Sequence, residues 1–219
     1  MNLFENEKIL IDYVITLIKT KKTDGIFIDV GARVGEWTDL LMKHFPNEKF
    51  LCFEPDKIAC EVIQNKNNSN IEIFNCGLSN ENKKEKLNFV KNGPSLSSFI
   101  MRPHFIYEKI DVEEIVVDVC RLDSLVTQNI NYLKIDTEEY EYNVLKGAHK
   151  LLENKKIEFI QFEYGGTFRE IGVKLNDVIG FLKSYDYGVY EMINGKPNVI
   201  LNYVDNYQYN NFIATKYTL

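Results

Sequence analysis

The feature that most constrains this chain is a glycine-containing turn between an apolar strand and a helix. The segment reads Phe27-Ile-Asp-Val-Gly-Ala-Arg-Val-Gly35, and a second apolar run ends in Phe53-Glu54-Pro55. In a strand–turn–helix–strand unit, the glycine turn lies under one part of a bound nucleoside, and the acid after the second strand reaches the ribose hydroxyls. Glu54 follows Gly35 by 19 residues, which suits that arrangement. The sequence therefore predicts a site for a nucleoside-containing cofactor.

Alternating strand and helix patterns continue beyond this unit. Predicted strands cover residues 25–31, 50–54, 71–75, 132–136, 157–163, 187–192 and 211–216. Helical apolar spacing separates most of them, which is typical of an α/β fold with a largely parallel sheet. With 219 residues and no dividing linker, the chain is predicted to form one domain. We assign an N-terminal helix to residues 1–24, a cofactor-binding core to 25–192 and a C-terminal strand region to 193–219.

A long irregular stretch interrupts the alternation between predicted strands at residues 87–90 and 115–119. It runs from Lys91 to His104. Loops of this length inside a domain are usually functional. We therefore expect Ser97, Ser98 and His104 to contact the acceptor substrate, the alternative being an ordinary polar surface loop.

Charge and composition exclude several classes of partner. The net charge of −6, with no Lys/Arg run interleaved with aromatic residues, disfavours nucleic acid. The four cysteines form no CxxC pair and the three histidines are scattered, so we expect no zinc site. The first residues lack the basic start and apolar core of a signal peptide, and no apolar run reaches the roughly 20 residues of a membrane span. A cytoplasmic location is the resulting prediction.

The residues of the turn distinguish between candidate cofactors. A dinucleotide fingerprint needs a middle glycine so that the pyrophosphate can approach the backbone, and this turn has glycines only at 31 and 35. Asp29 would repel a phosphate, and no G-K-[ST] sequence of a P-loop follows. A phosphate-free cofactor with a ribose and a cationic centre fits better, because acids suit ammonium and sulfonium groups. We therefore predict S-adenosylmethionine (SAM).

Further motifs follow the turn along the chain. They are Phe53-Glu-Pro55, Gly77-Leu-Ser79, Arg121-Leu-Asp-Ser-Leu125, Leu133-Lys-Ile-Asp-Thr-Glu138, Val144-Leu-Lys-Gly-Ala148 and Phe162-Glu163. Together with the turn they resemble the FkbM family of class I SAM-dependent methyltransferases over about residues 25–190. The resemblance implies a three-layer, Rossmann-like α/β/α fold with a seven-stranded, mostly parallel sheet whose last strand is antiparallel. It also implies O-methylation of hydroxyl groups on sugars or other natural products.

Two positions depart from the family pattern. The family usually has Asn where this chain has Arg33, and Gly where it has Glu139. The first departure bears on the local fit around the cofactor. The second bears on the start of the helix that follows Asp136.

The strand-end positions and the resemblance together define a candidate site. Cofactor contacts are expected from Asp29, Gly31, Arg33, Gly35, Glu54, Pro55, Gly77, Leu78 and Asp136. Candidate catalytic residues are Asp136, Glu163, Lys134 and His104, of which an acid or the histidine removes the proton of the acceptor hydroxyl. Alternation puts Lys134 and Asp136 on one face of a strand that should be buried, so both charges need partners. Structural alternatives are a helix cap for Asp136 and an ion pair of Lys134 with an acid such as Glu163.

The predicted function is SAM-dependent O-methylation, which the resemblance directs to a sugar hydroxyl of a glycan or glycoconjugate. A lipid or polyketide hydroxyl stays open as the acceptor, and clustered carboxylates could hold Mg²⁺, although no spacing demands a metal. Two other functions are retained as alternatives. One is an NAD-dependent sugar-nucleotide enzyme, against which the missing glycine counts, and the other is a non-catalytic binding module, which Arg33 and Glu139 keep open.

Overall fold

The strands of the chain form two sheets in the computed structural model, which describes residues 3–201, 203–204 and 208–219. The strands are β1 (Ile26–Val30), β2 (Phe50–Phe53), β3 (Ile71–Phe74), β4 (Gly77–Leu78), β5 (Lys83–Val90), β6 (Val112–Cys120), β7 (Ile130–Ile135), β8 (Ile157–Tyr164), β9 (Gly188–Ile193), β10 (Lys196–Val199) and β11 (Asn210–Thr215). The helices are α1 (Leu3–Lys21), α2 (Glu36–Met42), α3 (Lys57–Gln64), α4 (Pro103–Tyr107), α5 (Leu122–Leu125), α6 (Glu141–Gly147), α7 (His149–Glu153) and α8 (Leu175–Lys183).

The main sheet has the strand order β10-β9-β11-β8-β7-β1-β2-β3. Its centre, from β8 to β3, is parallel, whereas β11 pairs antiparallel with both β8 and β9. From β1 the chain proceeds outward through β2 and β3, and from β7 it proceeds through β8 to the other side. The neighbours β1 and β7 therefore form a switch point, and open α/β sheets bind ligands beyond the carboxyl ends of the strands at such points.

Helices cover both faces of this sheet, and alternation along β1 shows how. Ile28 and Val30 pack in the core that includes α6, α7 and α8. Phe27 packs on the opposite face, against α1 and α2. All five residues of β1 are buried, as expected for a parallel strand covered on both sides.

A second sheet, of order β4-β6-β5, occupies the chain between β3 and β7. Its long ribbon pairs β5 with β6, and the irregular stretch predicted from sequence lies at the far end of that ribbon. We call residues 91–111 the insert. A short 3₁₀ helix at Pro94–Leu96 and then α4 give the insert some regular structure. Paired backbone hydrogen bonds between Asn88 and Ser98, of 2.9 and 3.2 Å, fold it back onto β5.

The predicted number of strands is wrong by one. The additional strand, β10, pairs with β9 through a two-residue hairpin at Asn194-Gly195, where φ is +50° and +74°. Asn-Gly is the favoured sequence for such a turn, because both central residues need positive φ. The main sheet accordingly has eight strands among the described residues. The Rossmann-like α/β class, the mostly parallel sheet and the antiparallel last strand are confirmed.

Some predicted features fall on parts of the chain that are not described. These are residues 1 and 2 of the N-terminal helix and residues 202 and 205–207 of the C-terminal strand region. Among the helices that are described, none combines the length and the apolar character needed to cross a membrane.

Two glycines provide a matched test of the packing between α6 and the smaller sheet. A Cβ atom on Gly147 would lie 1.9 Å from the backbone oxygen of Ser79, whereas a Cβ on Gly180 in α8 would meet nothing within 4 Å. We expect Gly147→Ala to destabilise the protein by about 1–3 kcal/mol because backbone must move. Gly180→Ala should stabilise it by about 0.5–1 kcal/mol through helix propensity. Urea unfolding followed by the fluorescence of Trp37 measures both, and equal effects of the two substitutions would contradict the packing described.

Candidate functional site

A cavity of about 590 Å³ opens beyond the carboxyl ends of β1, β2 and β7. This is the switch point of the sheet, and the size lies within the range of small-molecule sites. Predicted site residues that line the cavity are Gly31, Arg33, Glu54, Pro55, Gly77, Leu78, Ser97, Lys134 and Asp136. Asp29, Gly35, Ser98, His104 and Glu163 were also predicted, but they are not among its lining residues.

The glycine turn after β1 is held close to the loop after β7. Gly31 has φ +74°, and a Cβ there would lie 1.8 Å from the backbone oxygen of Asp136. Its N–H donates to the carbonyl of Phe53 at 3.0 Å. Gly35 has φ +79° and is the N-cap residue of α2, so it shapes the turn without lining the cavity. Both glycines are needed because L side chains rarely adopt this backbone conformation.

Glu54 extends into the cavity from the end of β2. The backbone N–H of Arg33 donates to its Oε2 at 2.8 Å, and the N–H of Asp56 donates to its Oε1 at 2.9 Å. Burial raises the pKa of Glu54 to about 7, although these two hydrogen bonds favour the ionised form. The carboxylate is therefore fixed in place, and each oxygen keeps a second lone pair for a ligand.

A buried ammonium group lies between two carboxylates where β1 and β7 meet. Lys134 is opposite Asp29 in the strand register, and its Nζ lies 3.5 Å from Asp29 Oδ1 and 3.1 Å from Asp136 Oδ2. Burial lowers the pKa of Lys134, but attraction by Asp136 and Asp29 outweighs burial and leaves that pKa raised. The sequence-based requirement that Lys134 and Asp136 have charged partners is met. The partners of Lys134 are these two aspartates rather than Glu163.

Asp29 is enclosed beneath this cluster. Its side chain is 1% exposed, and Thr38 donates a hydrogen bond to Oδ2 at 2.9 Å. Because Asp29 does not line the cavity, the structure does not support the predicted direct contact with a cofactor. Asp29 instead holds Lys134, which does line the cavity.

Glu163, on β8, lies outside the cavity lining but within the same electrostatic environment. Burial raises its pKa to about 8, and the nearby charges of Asp136, Glu138 and Glu7 act in the same direction. Glu163, predicted as a catalytic residue, therefore does not line the cavity.

The loop after Asp136 has an unusual backbone. Glu138 and Glu139 are consecutive non-glycine residues with positive φ, +55° and +76°. The insert holds this loop through Arg102, which is 3% exposed, contacts the Glu138 carboxylate and lies 2.5 Å from Glu139 Oε2. Ser98 Oγ also donates to the Glu138 carbonyl at 2.5 Å. Asp136 is not a helix cap, because α6 begins at Glu141 after Tyr140.

The insert contributes Ser97 and Phe99 to the cavity, but not its two other predicted contacts. Ser98 is fully buried in the bond to Glu138, and His104 packs edge-on against Phe105 at 4.6 Å between ring centroids. Neither Ser98 nor His104, the two other expected acceptor contacts, is therefore among the residues that line the cavity.

Several lining or supporting residues were missed from the sequence. They are Glu7, Trp37, Phe99, Arg102 and Glu138. A signal existed for Glu7, which has helical i, i+3, i+4 spacing with Leu10 and Ile11 and therefore lies on the apolar face of α1. Gln161 of β8 donates a hydrogen bond to Glu7 Oε1 at 3.0 Å, so the acid on this face of α1 contacts the sheet. Arg102 had no comparable signal, because its partners are distant in sequence.

Comparison with known proteins identifies the family of this site. A sequence profile described as the methyltransferase FkbM domain matches residues 29–189. The chain belongs to the FkbM methyltransferase family. Methyltransferase 1 of Beauveria bassiana (strain ARSEF 2860) is 26% identical over 145 residues, and the match covers 57% of this chain and 58% of that protein. Methyltransferase sdnD of Sordaria araneosa is 26% identical over 191 residues, and the match covers 71% of this chain and 73% of that protein.

A solved structure agrees with this assignment at the level of the fold. The crystal structure of methyltransferase FkbM from Methylobacillus flagellatus KT superposes with a TM-score of 0.57 and 17% identity, covering 88% of this chain and 43% of that chain. This FkbM methyltransferase chain therefore spans less than two thirds of the Beauveria and Methylobacillus proteins.

FkbM methyltransferases use S-adenosylmethionine, which is therefore the cofactor. The cavity suits it chemically. A fixed carboxylate, Glu54, is available to ribose hydroxyls beside apolar Pro55 and Leu78, and the acids Asp136 and Glu138 complement a cationic centre. Because the chain belongs to a family of SAM-dependent enzymes, the NAD-dependent alternative is set aside. Within the part of the chain described, no group of three His, Cys, Asp or Glu side chains could hold a metal ion.

Both departures from the FkbM pattern occur at positive φ. Arg33 has φ +49° and Glu139 has φ +76°, and Asn or Gly adopts this conformation more easily than Arg or Glu. The Arg33 side chain is half exposed, 3.5 Å from Glu36, and its backbone N–H still reaches Glu54. Glu139 is buried against Arg102. Arg33 and Glu139 therefore keep the positive-φ backbone conformation at both positions, and their side chains make contacts with Glu36 and Arg102.

The buried carboxyls make stability depend on pH. Glu54, Glu138 and Glu163 have pKa values of about 7, 7 and 8 in the folded chain, raised from 4.5 chiefly by burial. Because the folded chain keeps these protons to higher pH than the unfolded chain, the free energy of unfolding falls as pH rises from about 4.5 to about 8. Glu163→Gln should reduce this fall, since glutamine does not titrate. Melting temperatures measured between pH 5 and 8 report this fall in stability. Glu153→Gln, at an exposed position, is the control. A melting temperature that declines as steeply in Glu163→Gln as in the wild type would contradict the role of Glu163.

Proposed function

We propose that this chain is a SAM-dependent O-methyltransferase that acts on a hydroxyl group of a sugar in a glycan or glycoconjugate. The observation that carries the proposal is the arrangement of carboxylates around the Gly31 turn. Glu54 follows β2 and Asp136 follows β7, on either side of β1, and both line one cavity. A ligand in the cavity thus meets one acid at its nucleoside end and others near the insert.

Residues at the nucleoside end would bind the cofactor through its ribose and base. Glu54 would accept hydrogen bonds from the ribose hydroxyls, because its two oxygens are already oriented by backbone N–H groups. Pro55, Gly77 and Leu78 would contact the base. Gly77 also leaves room for the Phe99 ring, because a Cβ at Gly77 would lie 2.7 Å from Phe99 Cζ. Gly31, Arg33 and Asp136 complete the proposed contacts along the cavity wall.

The reacting end is assigned to the loop after β7. When bound, SAM supplies an electrophilic methyl group, and the protein must present an acceptor oxygen in line with it. Lys134 holds Asp136 at 3.1 Å, which fixes a charged group for orienting the acceptor. Such positioning can supply roughly 7–11 kcal/mol of the rate acceleration. Glu163 and His104 are left out of the proposed chemistry, since neither lines the cavity.

The charge of the cavity favours a neutral acceptor. Its lining includes Glu7, Glu36, Glu54, Asp56, Asp136 and Glu138, against the two cations Arg33 and Lys134. A phosphate-rich polymer would be repelled here, so we propose no role for nucleic acid. Sugar hydroxyls would find acceptors in the carboxylates and in Ser97, while Phe99 offers an apolar surface. A cytoplasmic location remains part of the proposal.

Transfer of a labelled methyl group tests the proposed activity. The protein would be incubated with trideuteromethyl-SAM and a panel of methyl glycosides, nucleotide sugars, n-octanol and primary amines. The expected result is the mass gain of one trideuteromethyl group on a sugar hydroxyl. Labelling of octanol would redirect the proposal to lipid acceptors, and labelling of amines alone would overturn O-methylation. Binding of SAM without labelling of any compound would favour a non-catalytic binding module.

Glu54→Gln tests the nucleoside end separately. Replacing the carboxylate by an amide removes a charge-assisted acceptor worth about 1.5–3 kcal/mol, so the Kd for S-adenosylhomocysteine should rise about tenfold or more. Titration calorimetry measures this, with Glu61→Gln on the exposed face of α3 as the control that leaves the Kd unchanged. A Glu54→Gln protein that binds as tightly as the wild type would remove Glu54 from the cofactor site.

A further inference from the structure

Glu138 is an acid of the cavity that the insert holds directly. Arg102 contacts its Oε2, and among the described residues no hydrogen bond reaches its Oε1. The side chain is 24% exposed and lines the cavity next to Asp136. Asp136 is likewise engaged at one oxygen, by Lys134 rather than by the insert, whereas both oxygens of Glu54 accept backbone hydrogen bonds. Glu138 therefore has one oxygen fixed by the insert and the other available.

The backbone at Glu138 has positive φ, a conformation that glutamate rarely adopts, so other contacts must hold the side chain where it is. Two consecutive glutamates with positive φ are uncommon, and such residues persist where surrounding contacts determine them. Those contacts come from the insert, through the Arg102 guanidinium and the Ser98 hydroxyl. The same insert places Ser97 and Phe99 in the cavity wall. One segment thus shapes the acceptor side and orients the Glu138 carboxylate.

We propose that Glu138 is the catalytic residue that removes the proton of the acceptor hydroxyl, and that Arg102 is the positioning residue that aims it. The inference rests on the proposed O-methyltransferase function. In the transfer step the O–H proton passes to Glu138 Oε1, an oxygen lone pair forms the bond to the methyl carbon, and the electrons of the broken carbon–sulfur bond stay on sulfur. The proton then leaves Glu138 to solvent when the product departs.

The electrostatic surroundings suit such a group. Burial raises the pKa of Glu138 to about 7, while Arg102 opposes this and Asp136 and Glu139 add to it. Glu163 also lies within electrostatic range. A base whose pKa lies near the working pH transfers protons efficiently in both directions. Removing the positive charge of Arg102 would raise the pKa of Glu138 further.

Binding of S-adenosylhomocysteine alone is the first test, because it needs no acceptor. If Glu138 faces the acceptor, Glu138→Gln binds this product within threefold of the wild type while Glu54→Gln loses about tenfold or more. A loss in Glu138→Gln equal to that in Glu54→Gln would make Glu138 a cofactor ligand and overturn the proposal. If Glu138→Gln fails to fold, the same binding measurement is made on Glu138→Asp, whose carboxylate is one methylene further from the cavity.

Turnover with the hydroxyl compound labelled above is the second test. We expect kcat of Glu138→Gln to fall about 100-fold or more with loss of the acidic limb of the pH–rate profile. Arg102→Lys keeps the positive charge but loses the planar guanidinium that contacts both Glu138 and Glu139. This substitution should lower kcat without changing the binding of S-adenosylhomocysteine. Arg102→Met should move the acidic limb to higher pH, a shift that a purely structural role would not cause. Glu114→Gln, on the exposed ribbon, is the matched control.

The outcomes separate the two proposals. A wild-type enzyme that methylates a hydroxyl, together with a Glu138→Gln variant of equal kcat and an unchanged acidic limb, overturns the role of Glu138 and leaves O-methylation standing. A wild-type enzyme that labels no hydroxyl overturns the proposed function. In that case the binding comparison still decides whether Glu138 lies on the acceptor side.

Discussion

The ion pairs of Lys134 are the interaction on which the site depends. A buried ammonium costs several kcal/mol unless it is paired, and here Asp29 and Asp136 pair with it from the ends of the two strands at the switch point. The strand register places Asp29 opposite Lys134, so sheet pairing and charge pairing reinforce one another. Removing Lys134 would leave the buried Asp29 carboxylate without its cation, and breaking a buried ion pair in this way typically costs about 3–5 kcal/mol. The same cluster fixes Asp136 at the cavity wall.

Polar groups extend from this cluster across the sheet. Gln161 is the register partner of Lys134 on β8, and it bonds to Glu7 of α1 and to the hydroxyl of Tyr132. The face of the sheet beneath α1 is therefore apolar toward the amino ends of the strands and polar toward their carboxyl ends. This gradient places the charges where the cavity opens, while the apolar residues of α1 hold the helix over the sheet.

The insert supplies a second constraint through Arg102. Its guanidinium is buried against Glu138 and Glu139, two residues whose backbone conformation favours glycine. The family resemblance presented Glu139 as a departure, and the structure gives it a partner. Glu139 adopts this backbone conformation less easily than glycine would, but it gains a contact with the insert. That contact joins the insert to the loop after β7, the strand that carries Lys134.

Features of the site that depend on nearby residues were predictable. The Gly31–Gly35 turn follows from backbone conformations that glycine adopts, and Glu54 follows from its place after a short buried strand. The β9–β10 hairpin was equally local, since Asn194-Gly195 is a strong turn signal, yet it was missed and one strand with it. Glu7 was also accessible from helical spacing. That His104 and Ser98 do not line the cavity was not readable, because the position of a loop in sequence does not define which of its side chains face inward.

The sequence by itself determined the α/β class, the glycine turn, the acid after β2 and the need of Lys134 and Asp136 for charged partners. These follow from periodicity, backbone stereochemistry and the cost of burying charge, which act over a few residues. Only the tertiary structure decided that Asp29 lies beneath Lys134 and outside the cavity, that Glu163 stands apart from the cavity wall, and that Arg102 holds Glu138. Those relations join residues between 36 and more than 100 positions apart, and they depend on strand register and on how the insert folds back.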